Sequence, residues 1–120
     1  MTYPYIGINP NEYQNQIINL SKNYSIYGTD KALMVYGLGL GEECGEVEGL
    51  LKRHYRGDFD NESNSELKEK LTKELGDLLA YLSLIAFTFD IELEDIMDKN
   101  LSKINKRILD KSHIGTGSDR

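Results

Sequence analysis

Gly41-Glu42-Glu43-Cys44-Gly45-Glu46-Val47 and Lys73-Glu74-Leu75-Gly76-Asp77-Leu78 are the two stretches on which the fold and chemistry of this chain turn. Each sits in a segment whose apolar residues recur at helical spacing. At about 100° per residue, Tyr36, Leu40, Val47, Leu50 and His54 fall within about 60° of one another, with Glu43 at the centre and Glu46 on the flank. In the second segment Leu67, Leu71, Leu78, Tyr81 and Ile85 form the stripe, Glu74 lies at its centre, and Asp77 flanks it. Two helices thus repeat one pattern, an acid-x-x-acid pair facing inward among apolar residues.

An i, i+3 spacing puts both carboxylates on one face, with Cβ atoms roughly 5–6 Å apart. Four anions in a half-buried groove repel one another and lose hydration. Protons, basic partners or metal ions must compensate. Lys70, one turn before Glu74, is the nearest basic residue on the stripe. Oxygen ligands without a cysteine or histidine cluster point to Mg²⁺ or Mn²⁺ rather than zinc. Mg²⁺ shares its sites with phosphates, so the pattern points to phosphoryl chemistry.

Outward from these stretches the chain reads as four helices. Asn9-Pro10-Asn11-Glu12 is a helix start with a capping residue, proline at the first turn and an acid at the positive end. The first helix is expected over about 10–23, burying Tyr13, Ile17, Leu20 and Tyr24. Ser25 to Asp30 is a loop. The second helix is expected over about 31–55; its Gly37, Gly39 and Gly41 weaken it but permit close approach of another helix or a ligand. Arg56 to Asn64 is a polar linker, and Ser63-Asn64-Ser65-Glu66 is a capping box opening a third helix to about Phe89. Asp90-Ile91-Glu92 is a tight connection to a fourth helix, about 92–109, and residues 111–120 form an irregular tail. No strand alternation is visible, so an all-α four-helix bundle in a single domain, 1–120, is expected.

The totals restrict the function classes. With 120 residues there is room for one modest core. A net charge of −6 disfavours direct binding of nucleic acid, although metal-bridged phosphates remain compatible with acidity. The longest apolar run, Leu78 to Phe89, is too short for a membrane span. No signal peptide is evident in Met1 to Pro10, and the lone Cys44 fits a reducing compartment, so a cytoplasmic location is expected. Cys44 itself points off the acid stripe.

The two acidic motifs together resemble those of the MazG-like nucleotide pyrophosphohydrolases, whose pattern is Glu-Glu-x-x-Glu, a gap, then Glu-x-x-Asp. Further similarity lies in Asn11-Glu12-Tyr13-Gln14, in Asn100-Leu101-Ser102-Lys103-Ile104-Asn105-Lys106-Arg107, and in Gly115 to Arg120, so it covers nearly the whole chain. The resemblance implies Glu43, Glu46, Glu74 and Asp77 as Mg²⁺ ligands, with Mn²⁺ as a possible substitute. It implies Glu42, with Glu43, as catalytic, Glu42 activating the attacking water. Lys103 and Arg107 would neutralise phosphate oxygens and Asn100 donate a hydrogen bond; as late-helix cations the two also suit the helix dipole. Tyr13 and Gln14 are candidate base contacts, with Tyr13 equally readable as core.

The implied reaction is (d)NTP plus water to (d)NMP plus pyrophosphate, cut between the α and β phosphates, in nucleotide-pool control by a phage or bacterial protein. The implied assembly is a homodimer or homotetramer. Lys52, Arg53 and Arg56 could meet a triphosphate tail or cap the second helix, and His54 and His113 are not evident catalysts. Three alternatives stay open: a non-catalytic helical nucleotide- or protein-binding module, a phosphoribosyl-ATP or dUTP-type pyrophosphohydrolase, and a di-iron bundle. The last lacks its Glu-x-x-His motifs.

Overall fold

A computed structural model describes residues 7–58 and 63–111. They form four helices and no strand: α1 Pro10–Ser21, α2 Ala32–Arg56, α3 Asn64–Thr88 and α4 Leu93–Leu109. The expected tail with its Gly115 to Arg120 motif, His113 and part of the polar linker lie outside the described residues.

Local chemistry sets the helix ends. Asn9 Oδ1 accepts from the Glu12 backbone N–H at 2.9 Å, with Pro10 in the first turn. The Ser63 hydroxyl accepts from the Glu66 N–H while the Glu66 carboxylate accepts from the Ser63 N–H, completing the capping box. At the end of α2, Gly57 takes φ 91°, and the Gly57 and Asp58 N–H groups close onto the His54 and Arg53 carbonyls. Asp90 does the same work after α3 at φ 58°, where the Asp90 and Ile91 N–H groups bond the Phe87 and Ala86 carbonyls. A short polar side chain tolerates that left-handed conformation better than most.

The helical hairpin of α2 and α3 is the principal packing unit, and α1 lies across α3. Ala32, Tyr36 and Leu84 form the buried centre, flanked by Ile17, Ile18, Ile26, Tyr81 and Ile85. Burying a side chain the size of Leu84 contributes about 1.5–3 kcal/mol. Both expected acid stripes run along the α2–α3 seam, where Tyr36 and Leu50 are buried and Leu40, Val47, Leu67, Leu71, Leu78 and Ile85 are half-buried.

Helix α1 departs from expectation. It stops at Ser21, and Leu20 and Tyr24, expected in the core, are 61% and 70% exposed. The buried positions on it are instead Gln14 and Ser21. Gln14 is a clamp. Its amide nitrogen donates to the Ser83 carbonyl at 3.2 Å and the Ile91 carbonyl at 2.9 Å, while its oxygen accepts from the Leu93 N–H at 3.1 Å. Asn11 Oδ1 accepts from the Glu94 N–H at 3.1 Å. Glu92, at the N-cap of α4, makes no capping bond of its own. Helix α1 therefore supplies the cap that α4 lacks, satisfying its first orphan donors from a distant part of the chain. That fastens α4 by its N-terminal end, where Leu93 is buried, and leaves Leu101, Ile104, Ile108 and Leu109 further along it exposed.

Candidate active site

Glu43 on α2 and Glu74 and Asp77 on α3 converge across the helical hairpin. Each offers a carboxylate oxygen, and the three oxygens lie within 4.8 Å of one another. Glu43 and Glu74 are half-buried and Asp77 is exposed, so the group opens toward solvent. Partial burial pushes the Glu43 carboxyl above its ordinary value, helped by a hydrogen bond to Glu74 and by the charges of Asp77, Glu74 and Glu42. The anionic state of Glu43 is thus disfavoured by burial and by the neighbouring negative charges. The donor set, three hard oxygens at close quarters, fits a divalent cation such as Mg²⁺ or Mn²⁺.

Glu46, the fourth acid, lies one turn further along α2, is exposed, and falls outside this close group. Glu42 is exposed beside Glu43, near enough for its charge to act on Glu43 and Tyr81.

Two of the three acids border a cavity of about 450 Å³. Glu43 and Asp77 line it together with Ile17, Leu20, Ser21, Tyr24, Ile26, Val35, Tyr36, Ala80, Tyr81 and Leu84. Its wall is thus aliphatic and tyrosine-rich except at the carboxylates. The exposed Leu20 and Tyr24, misplaced in the core by periodicity, belong to this wall. A pocket of this size accepts a small organic ligand.

Helix α4 contributes no lining residue to this pocket. Asn100 and Lys103 are exposed and Arg107 half-buried on α4, which packs chiefly against α1. None of the three lines the pocket. Gln14 is committed to backbone partners by both ends of its amide, so it is a structural residue and not a base contact. Tyr13 is half-buried; burial and then the charge of Asp77 raise its hydroxyl pKa. Arg56 is paired with Asp58 at the end of α2, in keeping with a capping role. His54 is half-buried with its ring edge-on to Tyr55.

Sequence periodicity placed Tyr81 in the α3 stripe without a role beyond packing. In the structure its ring presses on α2 at Gly39, where an added Cβ would lie 2.4–2.7 Å from ring atoms. Gly37 and Gly41 have no such neighbour. Of the three glycines, only Gly39 uses the close approach that all three permit. The available signal was its spacing, one turn before Glu43 on the same face.

Comparison with known proteins agrees with this architecture. The MazG nucleotide pyrophosphohydrolase domain matches residues 32–110. A Gene 37 protein of Mycobacterium phage L5 is 33% identical over 84 residues, covering 69% of this chain and 72% of that protein. Uncharacterized protein YvdC of Bacillus subtilis (strain 168) is 31% identical over 70 residues, covering 55% of this chain and 66% of that protein. No solved structure gives a significant match. The matched span contains α2, α3 and α4 with all three converging carboxylates, and the chain belongs to the MazG nucleotide pyrophosphohydrolase domain family.

Proposed function

We propose that this protein is a Mg²⁺-dependent nucleoside triphosphate pyrophosphohydrolase, converting (d)NTP and water to (d)NMP and pyrophosphate. The observation that carries this reading is the joining of two unlike surfaces in one cavity. Glu43 and Asp77, members of an acid group suited to a metal–phosphate complex, line the cavity together with an aliphatic, tyrosine-rich wall suited to a base and sugar. A plain interaction module has no need to gather three acids, two of them lining an apolar pocket, against their mutual repulsion.

Glu43, Glu74 and Asp77 would hold the cation, with Glu46 reaching it from the next turn of α2. Bound there, Mg²⁺ supplies neutralisation of phosphate oxygens and acidification of a coordinated water. Glu42, exposed beside the group, would accept the proton of the attacking water. The apolar wall excludes bulk water from the nucleoside end.

No lysine or arginine is among the described residues that line the pocket, and the exposed face of α4 is a source for the cations a phosphate tail needs. Leu101 and Ile108 are 61% and 57% exposed on the helix that carries Asn100, Lys103 and Arg107. The radius of gyration, 17.4 Å, exceeds the roughly 14 Å expected of a sealed domain of this length. A homodimer or homotetramer would bury this face and bring α4 cations toward the substrate.

The deciding experiment is pyrophosphate release from a panel of NTPs and dNTPs, with Mg²⁺ and with EDTA. Metal-dependent release that is lost in Glu43→Gln and Asp77→Asn, with helicity retained, is expected. Full activity of both variants would refute the site.

A further inference from the structure

Tyr81 is where the two halves of the pocket meet. On α3 it lies one turn beyond Asp77 and about one turn before Leu84, both of which line the cavity. On α2 its ring rests at Gly39, one turn before Glu43 and about one turn after Val35 and Tyr36. At about 1.5 Å per residue, Gly39 is some 6 Å along the helix axis from Glu43. The ring atoms nearest the Gly39 position are Cζ, which carries the hydroxyl, and its two Cε neighbours. The phenol end therefore spans from α3 to α2 across the cavity, between the carboxylates and the aliphatic wall. Its hydroxyl feels the charges of Glu43, Glu42 and Asp77, which together with burial keep it protonated and so a donor.

In a nucleotide the group between base and phosphates is the sugar with its 5′ ester linkage. We propose that Tyr81, seated on Gly39, is a substrate-positioning residue whose hydroxyl donates a hydrogen bond to the nucleotide at the junction of sugar and α-phosphate, its ring walling the sugar. The proposal rests on the nucleotide reading of the site and adds to it a specific contact and a seat. Gly39 is part of the device because any side chain there would drive the ring away. Tyr36 lies a further turn along α2 from Glu43 than Gly39 does, and so further from the acids.

The test measures binding by calorimetry with wild type, Tyr81→Phe, Gly39→Ala and the double variant Gly39→Ala/Tyr81→Leu. Three probes are used: Mn²⁺ alone, Mg²⁺ with inorganic triphosphate, and Mg²⁺ with α,β-methylene (d)NTPs, which cannot be cut at the scissile bond. A hydrogen bond to a charged group is worth roughly 10–100-fold in affinity. Tyr81→Phe is expected to lose about tenfold or more for the nucleotide analogues while Mn²⁺ and inorganic triphosphate bind as in wild type. Gly39→Ala should show the same selective loss. The double variant should recover the melting temperature lost by Gly39→Ala but not the affinity, which separates a seat for Tyr81 from plain packing.

Equal analogue affinity in Tyr81→Phe and wild type would overturn the proposal, as would a parallel loss for all three probes. If wild type binds no analogue, both this proposal and the nucleotide reading fall. Selective loss in Tyr81→Phe combined with no cleavage of the corresponding triphosphates would support Tyr81 and overturn the hydrolase reading alone.

Discussion

Replacing Glu43 by Gln should make the metal-free protein more stable and the metal-loaded protein less so. The magnitude follows from the geometry. Glu43 faces two other carboxylates with oxygens no more than 4.8 Å away. One such pair costs about 0.9 kcal/mol at the dielectric of water and about 3.5 kcal/mol at an effective dielectric of 20. Asp77 is exposed and the group opens to solvent, so the water-like end applies. The hydrogen bond between Glu43 and Glu74 offsets part of the repulsion. Removing the Glu43 charge should then relieve about 1–2 kcal/mol, since Gln and Glu differ little in helix propensity. For a chain of this length that raises Tm by roughly 4–8 °C.

Mg²⁺ should reverse the order, because a ligand at one hundred times its Kd adds about 2.7 kcal/mol to the state that binds it. Wild type gains that increment and Glu43→Gln gains little of it.

The pH dependence has a definite sign. The folded-state pKa of Glu43 lies above its ordinary 4.5, so the folded protein holds this proton more tightly than the unfolded chain does. Below that ordinary value the carboxyl is protonated in both states and the metal-free variants should melt together. As pH rises through the raised folded pKa, wild type loses stability relative to Glu43→Gln, and the gap opens. Differential scanning calorimetry in EDTA and in Mg²⁺, from pH 4 to 8, checks every part. A Glu43→Gln protein that melts with or below wild type in EDTA at neutral pH would refute the picture of mutually repelling acids.

Two further expectations address the scaffold and the assembly. Gln14→Ala removes three hydrogen bonds to buried or half-buried backbone groups, which at about 1 kcal/mol each should lower stability by roughly 3 kcal/mol in urea titrations read by circular dichroism; a loss under 1 kcal/mol would mean that α4 does not depend on this clamp. Leu101→Asp/Ile108→Asp on the exposed face of α4 should shift the mass measured by light scattering from an oligomer to a monomer and lower pyrophosphate release, whereas an unchanged mass would show that this face is not the interface.

Much of this arrangement was legible in the sequence where local chemistry and periodicity act together. Asn9 and Ser63 fixed two helix starts because a capping side chain needs only neighbours in sequence. Glu43 and Glu74 stood out because an acid at the centre of an apolar stripe is costly unless something answers it, and both stripes do meet at one seam. Asp77, on a flank, joined them because α3 faces α2 closely there. Glu46, on the corresponding flank of α2, did not, since a flank position converges only where the partner helix lies on that side.

The failures are instructive in the same terms. Leu20 and Tyr24 have the spacing of core residues, yet α1 ends at Ser21 and both fall at the rim of a cavity. Apolar spacing reports a shared face; it does not distinguish a face filled by protein from one left for a ligand. Gln14 was a candidate base contact through the family resemblance, but its amide answers backbone groups about seventy to eighty positions away, a demand that no local pattern reveals.

Gly39 shows most clearly why the rest stayed hidden. Read alone, it weakens a helix and permits an approach; only the position of Tyr81 on the other helix says which approach is used. Once the ring occupies that seat, the stability cost of a glycine within α2 acquires a cause in the site itself. The same holds for the acids, whose repulsion weakens the empty fold. Helix α2 thus concentrates two destabilising choices, a missing side chain and a surplus charge, within one turn. Both become intelligible if the ligand, a nucleotide with its metal, supplies the interactions that the empty chain forgoes. Stability and function then trade against each other at Gly39 and Glu43, and variants at either position should separate the two.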